Sequence, residues 1–130
     1  MSQENVEVVR RIYDAWNEGA ISRLNDLFDE QVELRLNVMM GPYLGRNGVR
    51  QFVADLVADW SLLAMTIEDA VVGGDQVVVV VREEGIGRSS QVPITSIENH
   101  VWTVRDGRAF RADAYPSRAK ALEAAGLRDG

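Results

Sequence analysis

The sequence predicts an α+β fold: a cone-shaped, curved antiparallel β-sheet with N-terminal helices closing its concave face and a short C-terminal helix. Two observations carry this prediction. Helical patterns fill the first half of the chain, whereas residues 62–115 read as four strands joined by short turns. Helices that are segregated from an antiparallel sheet define the α+β class. We expect such a sheet to enclose a cone-shaped cavity.

Apolar residues at helical spacing predict two helices at the start of the chain. Over residues 3–18 the apolar stripe consists of Val6, Val9, Ile12, Tyr13 and Trp16. Gly19 stands where a left-handed residue typically ends a helix. A second, short helix is predicted over 21–29. Because so short a link separates them, the two helices form a bent pair.

A strand, a loop and a third helix follow. Residues 31–38 alternate between apolar and polar side chains, which predicts a half-buried strand. The loop over 39–45 is unusually apolar, so it either lines a cavity or packs against the core. A full helical stripe over 47–60 predicts the third helix, with Asn47 as its N-cap.

The rest of the chain is mostly β. Strands are predicted over 62–72, 76–82, 88–105 and 108–115, with a bend or bulge near Pro93. Five consecutive valines in the second of these strands indicate that it is central and covered on both faces. Glu83 and Glu84 are interpreted as its solvated end. Asp106-Gly107 predicts a hairpin turn, and a last helix is expected over 118–125.

Composition narrows the function. The chain has 130 residues, no cysteine, one histidine and a formal net charge of −6. We therefore predict a single domain over 1–130, no cofactor and no metal, and no binding to nucleic acid, since the basic residues are interspersed with acidic ones. No apolar run is long enough to span a membrane and no leader pattern opens the chain, which predicts a cytoplasmic protein without a membrane partner.

The single histidine is the best general acid or base by its chemistry. By strand alternation, His100 shares one face with Glu98 and Trp102. A nearby carboxylate would raise its pKa, whereas burial would lower it. The opposite face, with Asn99 at its centre, is equally suited to a pocket wall. In that case His100 lies on the outer sheet face and bonds across a dimer interface.

Several segments resemble those of SnoaL-like proteins, which belong to the nuclear-transport-factor-2-like superfamily together with ketosteroid isomerase, scytalone dehydratase and limonene epoxide hydrolase. The resemblance covers essentially the whole chain. The segments are 9–19 (VRRIYDAWNEG), 27–30 (LFDE), 45–49 (GRNGV), 104–108 (VRDGR) and 121–127 (ALEAAGL). It implies a cone-shaped α+β barrel with an apolar pocket at its open end, and a homodimer formed through the sheet.

The resemblance also implies candidate chemistries. The base of ketosteroid isomerases falls at about Arg35 or Leu36, on a strand whose apolar face carries no carboxylate. Their second acidic donor falls at Asn99, an amide, or at one of its neighbours. The acid/base carboxylate of SnoaL-like cyclases corresponds best to Asp113. The constellation of ketosteroid isomerase is therefore at best partial here.

These arguments predict a protein that binds a small hydrophobic molecule in the cone, as a cofactor-free cyclase, isomerase or hydrolase. The alternative is a non-catalytic module for ligand binding, protein interaction or dimerisation; a purely structural module would have its cavity filled by side chains. The predicted catalytic residues are His100 and Asp113. The predicted substrate-binding residues are Tyr13, Trp16, Leu36, Met40, Tyr43, Asn99, Trp102 and Tyr115.

Overall fold

The computed structural model describes residues 2–36 and 41–128, which form four helices and one six-stranded sheet. The helices are α1 (Ser2–Asn17), α2 (Ile21–Leu27), α3 (Gly45–Asp59) and α4 (Arg118–Ala124). The strands are β1 (Phe28–Arg35), β2 (Tyr43–Leu44), β3 (Trp60–Gly73), β4 (Gln76–Gly87), β5 (Pro93–Arg105) and β6 (Arg108–Tyr115).

The sheet has the strand order β2-β1-β6-β5-β4-β3. Strands β3 to β6 form the predicted antiparallel meander. Strand β1 instead runs parallel to β6, so the sheet is mixed and stays open between its edge strands β2 and β3. The helices α1 and α3 pack against this curved sheet, α1 across β3 to β6 and α3 against β1 to β3. The predicted α+β architecture is thus confirmed.

The run of valines in β4 serves two cores. Val77, Val79 and Val81 are fully buried in the main core between the helices and the concave face. Val78 points the other way and packs with Val101 and the apolar face of α4 in a second, smaller cluster. Since side chains alternate along a strand, a central strand with both faces covered needs such a continuous apolar run. The prediction for this strand is confirmed.

Several boundaries differ from the prediction. Phe28 has extended backbone and begins β1, because its buried ring joins the core and its backbone pairs with Ala109. The short strand β2 was not foreseen. Helix α3 begins at Gly45, and the residue before it caps without a side chain, so Asn47 lies inside the helix rather than at its N-cap. Strand β5 starts only at Pro93, after a turn.

The β5–β6 hairpin has the predicted two-residue turn. Asp106 and Gly107 both have positive φ angles, 52° and 76°, which the tight hairpin turns of twisted strands require. The expected irregularity near Pro93 is absent from the pairing of β4 with β5, which runs without a shift from Gln76 to Ile86. The shift in β5 occurs at Thr103 and Val104, where it pairs with β6. The register of β5 on β4 is therefore unbroken along the site.

Candidate functional site

A cavity of about 280 Å³ lies between the helices and the concave face of the sheet. Most of its wall is apolar, with α1, α3 and β1 contributing aliphatic and aromatic side chains. The ionisable side chains on the wall are Tyr13, Glu83, Glu98 and His100; no lysine or arginine of the described residues lines it. The space is open rather than filled by side chains.

Strand register decides which face of β5 lines the cavity. Glu98, His100 and Trp102 face inward, because they pair with Val81, Val79 and Val77 of the main core. On the other face, Val101 packs under α4 and Asn99 pairs with Tyr115. Of the two faces that the sequence left open, the one with the imidazole borders the cavity.

Three buried side chains from α1 and β5 form one hydrogen-bonded unit. The hydroxyl of Tyr13 lies 2.7 Å from Nδ1 of His100. Nε1 of Trp102 donates a hydrogen bond to the same hydroxyl at 2.9 Å. The rings of Tyr13 and His100 are nearly parallel, at 8°, whereas Trp102 meets Tyr13 edge-on at 81°. We call these residues the Tyr13–His100–Trp102 unit.

Burial is the main influence on the pKa values of His100 and Tyr13 in this unit. It lowers the pKa of His100 to about 4, because a desolvated imidazolium is costly. The sequence suggested two opposing effects on the pKa of His100, a rise caused by a nearby carboxylate and a fall caused by burial. The effect of burial prevails. Burial also raises the pKa of Tyr13 well above its usual range, an effect that the bond from Trp102 only partly offsets. Near neutral pH both groups are uncharged.

Two carboxyl groups share the cavity wall beside this unit. Burial, and then the nearby charge of Glu98, raise the pKa of Glu83 to about 7. Burial also raises the pKa of Glu98. The two side chains are diagonal neighbours on adjacent strands, since Glu83 pairs with Ser96 and Glu98 with Val81. A carboxyl that titrates near pH 7 is suited to both accept and release a proton.

The interpretation of Glu83 as solvated is wrong, whereas that of Glu84 holds. Glu84 is exposed and forms an ion pair with Arg82 on the outer face. Glu83 continues the inward row of alternate valines and pairs with Met65 of β3, another cavity residue. The alternation along β4 is the sequence signal that could have identified Glu83 as an inward-facing residue. Apart from Glu83 and Glu98, the wall residues outside the predicted set are apolar, among them Phe28, Leu34 and Val49.

Five of the predicted site residues line the cavity: Tyr13, Trp16, Leu36, His100 and Trp102. The indole of Trp16 donates to the backbone oxygen of Leu63 at 2.8 Å, which ties α1 to β3. Their roles in binding or catalysis stay predictions.

The structure places four other predicted residues outside the wall. Asp113 pairs with Val101 on the outer face and binds Arg111 through two bonds of 2.8 and 3.1 Å. It is therefore not a cavity acid or base. Asn99 and Tyr115 share that outer face. The hydroxyl of Tyr43 donates to Asp55 at 2.6 Å, and its ring packs edge-on against Phe52, behind the wall. Met40 lies outside the described residues.

Within residues 2–36 and 41–128, no three histidine or acidic side chains converge in a way that would hold a metal ion. Nor is any helix in that part of the chain long and apolar enough to cross a membrane.

Comparisons with known proteins agree with this architecture. A search of curated proteins found no match. Among solved structures, a nuclear-transport-factor-2-like protein of unknown function from Burkholderia pseudomallei superposes with a TM-score of 0.80 at 19% identity, over 95% of this chain and 97% of that one. A putative SnoaL-like polyketide cyclase from Jannaschia sp. has a TM-score of 0.78 at 20% identity, over 99% and 96%.

A third structure, TerC co-crystallised with polyporic acid, has a TM-score of 0.79 at 23% identity, over 92% of this chain and 96% of that one. At these identities the likeness shows the fold. The model of the SnoaL-like domain matches residues 9–112. Since that match spans most of the chain, the protein belongs to the SnoaL-like domain family.

Proposed function

We propose that this protein binds a small, largely apolar molecule in the cone cavity and moves a proton on it, with Glu83 as the acid or base. The observation that carries the proposal is a carboxyl with a pKa raised to about 7 on the wall of a mostly apolar cavity. A carboxyl pKa raised in this way is typical of groups that perform proton transfer near neutral pH.

The cavity suits a compact ligand. Its volume, about 280 Å³, is near the lower end of the roughly 300–1,000 Å³ of ligand sites. A mostly apolar wall with a few convergent polar groups is the usual composition of such sites. Similarity to a putative polyketide cyclase and to TerC, crystallised with polyporic acid, also favours an apolar organic ligand.

The chemistry needs no cofactor. A carboxylate in an apolar site takes a proton from carbon next to a carbonyl group, and the resulting carboxylic acid returns it. The apolar wall keeps the carboxyl poorly solvated, which raises its affinity for the proton. This step is shared by isomerases and by cyclases that close rings through an enolate, so it does not choose between them.

Hydrogen–deuterium exchange tests the proposal directly. The probe is 2-tetralone, a compact apolar ketone, whose protons next to the carbonyl are followed by NMR in deuterated buffer. We expect the protein to accelerate exchange above the buffer rate, and Glu83→Gln to abolish the acceleration. Glu84→Gln is the matched control, because Glu84 lies one residue away on the exposed face. Equal exchange in the two variants would rule out Glu83 as the base.

A non-catalytic binding module is the second candidate. It is favoured by the cavity-facing side of β1, where Val32 and Leu34 are fully buried and no carboxylate is present. Binding of 2-tetralone without any accelerated exchange would select this alternative.

We also propose the homodimer through the sheet that the sequence suggested. Helix α4 covers only part of the outer sheet face. Beyond it, Leu62 and Ile97 stand on that face and are 58% and 51% exposed. Exposed aliphatic side chains on an open sheet face favour association.

A further inference from the structure

The Tyr13–His100–Trp102 unit fixes where its protons lie. The indole of Trp102 can only donate, and it donates to the Tyr13 oxygen. The Tyr13 hydroxyl also carries a proton of its own, which needs a hydrogen-bond acceptor. Its partner is Nδ1 of His100, 2.7 Å away. Tyr13 therefore donates to Nδ1, which must be unprotonated to accept.

The opposite arrangement leaves a buried proton unsatisfied. If Nδ1 carried the proton, the Tyr13 oxygen would receive two donors and its own hydrogen would have no acceptor among the described residues. Tyr13 is only 4% exposed, and a buried hydroxyl without a partner is costly. Because burial also keeps the pKa of His100 low, the imidazole is neutral. The neutral ring then carries its single proton on Nε2.

Nε2 is the free end of this chain of hydrogen bonds. His100 is 4% exposed and lines the cavity. Within residues 2–36 and 41–128, no protein group forms a hydrogen bond with this nitrogen. A donor left open in a mostly apolar wall favours a ligand that brings an acceptor oxygen to it.

We propose that His100, held as the Nε2–H tautomer by Tyr13 and Trp102, donates a hydrogen bond to the substrate's carbonyl oxygen, so that the cavity selects apolar molecules with a carbonyl group next to an acidic C–H. This inference rests on the proposed function of Glu83 and names the substrate class of that site. His100 is then a catalytic residue, and Tyr13 is a positioning residue that acts through it.

The proton transfer balances without any co-reactant. The Glu83 carboxylate takes a proton from the carbon next to the carbonyl. The electrons of the broken C–H bond form a carbon–carbon double bond, and the carbonyl π electrons move to oxygen. Nε2–H of His100 donates to that oxygen while negative charge develops on it, and the imidazole stays neutral. Return of the proton from Glu83 to carbon closes the cycle.

The tautomer can be read in the unmodified protein. Long-range ¹H–¹⁵N correlation spectra of the labelled protein at pH 7.5 report which ring nitrogen carries the proton, and the chain has only one histidine. We expect a protonated Nε2 and a bare Nδ1. Tyr13→Phe should produce a mixture of tautomers, whereas Tyr115→Phe, on the outer face, should leave the spectrum unchanged. A protonated Nδ1 in the wild type would overturn the inference.

Ligand selection is tested with a matched pair, 2-tetralone and tetralin, which share one carbon skeleton and differ in the carbonyl group. We expect the wild type to bind the ketone about tenfold more tightly, the worth of one good hydrogen bond. In His100→Phe the preference of the cavity for the ketone over tetralin should fall to about onefold. The tautomer measurement can overturn the inference even where this variant folds poorly.

The outcomes separate the two proposals. If neither compound binds, the proposed function fails together with the inference. If both bind equally well and exchange of 2-tetralone still depends on Glu83, the function stands and the role of His100 is refuted. If the ketone is preferred and His100→Phe removes that preference, the inference is supported.

Discussion

The Tyr13 hydroxyl lies 2.7 Å from Nδ1 of His100, although 87 residues separate the two along the chain. Helix α1 supplies the phenol and β5 the imidazole. The contact joins the helical layer to the sheet at the cavity wall, and Trp102 secures it from the side. A polar bond that spans two layers of a mostly apolar core specifies how they are aligned.

Tyr13→Phe should destabilise the fold by about 1–3 kcal/mol, because it leaves the buried N–H of Trp102 without a partner. Chemical denaturation with urea measures the loss. Tyr115→Phe is the control, since its hydroxyl makes no hydrogen bond within the described part of the chain and should cost less than about 0.5 kcal/mol. Equal losses in the two variants would mean that the Tyr13 bonds contribute nothing specific.

Glu83→Gln should stabilise the protein at alkaline pH and leave it unchanged at acidic pH. The folded state holds the proton up to about pH 7, whereas the ordinary pKa is 4.5. Burial of Glu83 therefore costs stability that grows as pH rises from about 4.5 to 7, and then levels off. We expect a gain of about 2 kcal/mol at pH 8, after allowance for the group's partial exposure.

The measurement is the unfolding free energy of wild type and variant from pH 4 to 8. Glu84→Gln should show no such pH-dependent gain, since its carboxylate is exposed. A Glu83→Gln curve that runs parallel to the wild type would show that Glu83 titrates normally.

His100 should titrate near pH 4 in the folded protein. Burial lowers its pKa from 6.5 to about 4. Between these two pH values the imidazole binds a proton in the unfolded chain but not in the folded chain. The contribution of His100 to stability is complete above about pH 6.5 and is lost as pH falls towards 4. The imidazole ¹H NMR shift of the only histidine reports this directly. A midpoint near 6.5 in the folded protein would show that the ring is solvated.

The two groups oppose each other between about pH 4.5 and 6.5. In that window, rising pH costs stability at Glu83 and restores it at His100. We expect His100→Gln to unmask the Glu83 effect, so that its stability falls more steeply from pH 5 to 7 than that of the wild type. Denaturation series at the two pH values make the comparison; a flatter slope in the variant would contradict it.

Ile97→Lys should shift the proposed dimer towards monomer, because it places a charge on the exposed part of the outer sheet face. Analytical ultracentrifugation over a concentration series measures the shift. Ile21→Lys, on α2, is the matched control, since Ile21 is also an exposed isoleucine, at 37% against 51% for Ile97. If both variants and the wild type have the same mass, association does not use this face.

Local pattern predicted most of the fold. The stripe of α1, the alternation of β1, the valine run of β4 and the turn at Asp106 and Gly107 are all encoded within short windows, and each was found. The parallel pairing of β1 with β6 was not, because it joins segments about 80 residues apart and leaves no local signature.

The site was predictable in part. Tyr13 and Trp16 lie on the apolar stripe of α1 and do line the cavity. The inward face of β5 was ambiguous, since alternation defines two faces and only the register against β4 says which one is inside. Asp113 was misplaced for the same reason: its parity on β6 follows from the pairing with Val101. Glu83 was missed because a charged pair at a strand end ordinarily stays in water.

The turn at Asp106 and Gly107 fixes the register of β5, and hence which of its side chains face the cavity. It pairs Arg105 of β5 with Arg108 of β6, and the unbroken ladder with β4 extends this register back to Pro93. One residue inserted in β5 between His100 and the turn would turn the imidazole out under α4 and bring Asn99 in. One residue inserted in the turn over 88–92 would leave the register of β5 unchanged. Length can vary there, whereas β5 can change its chemistry only by substitution.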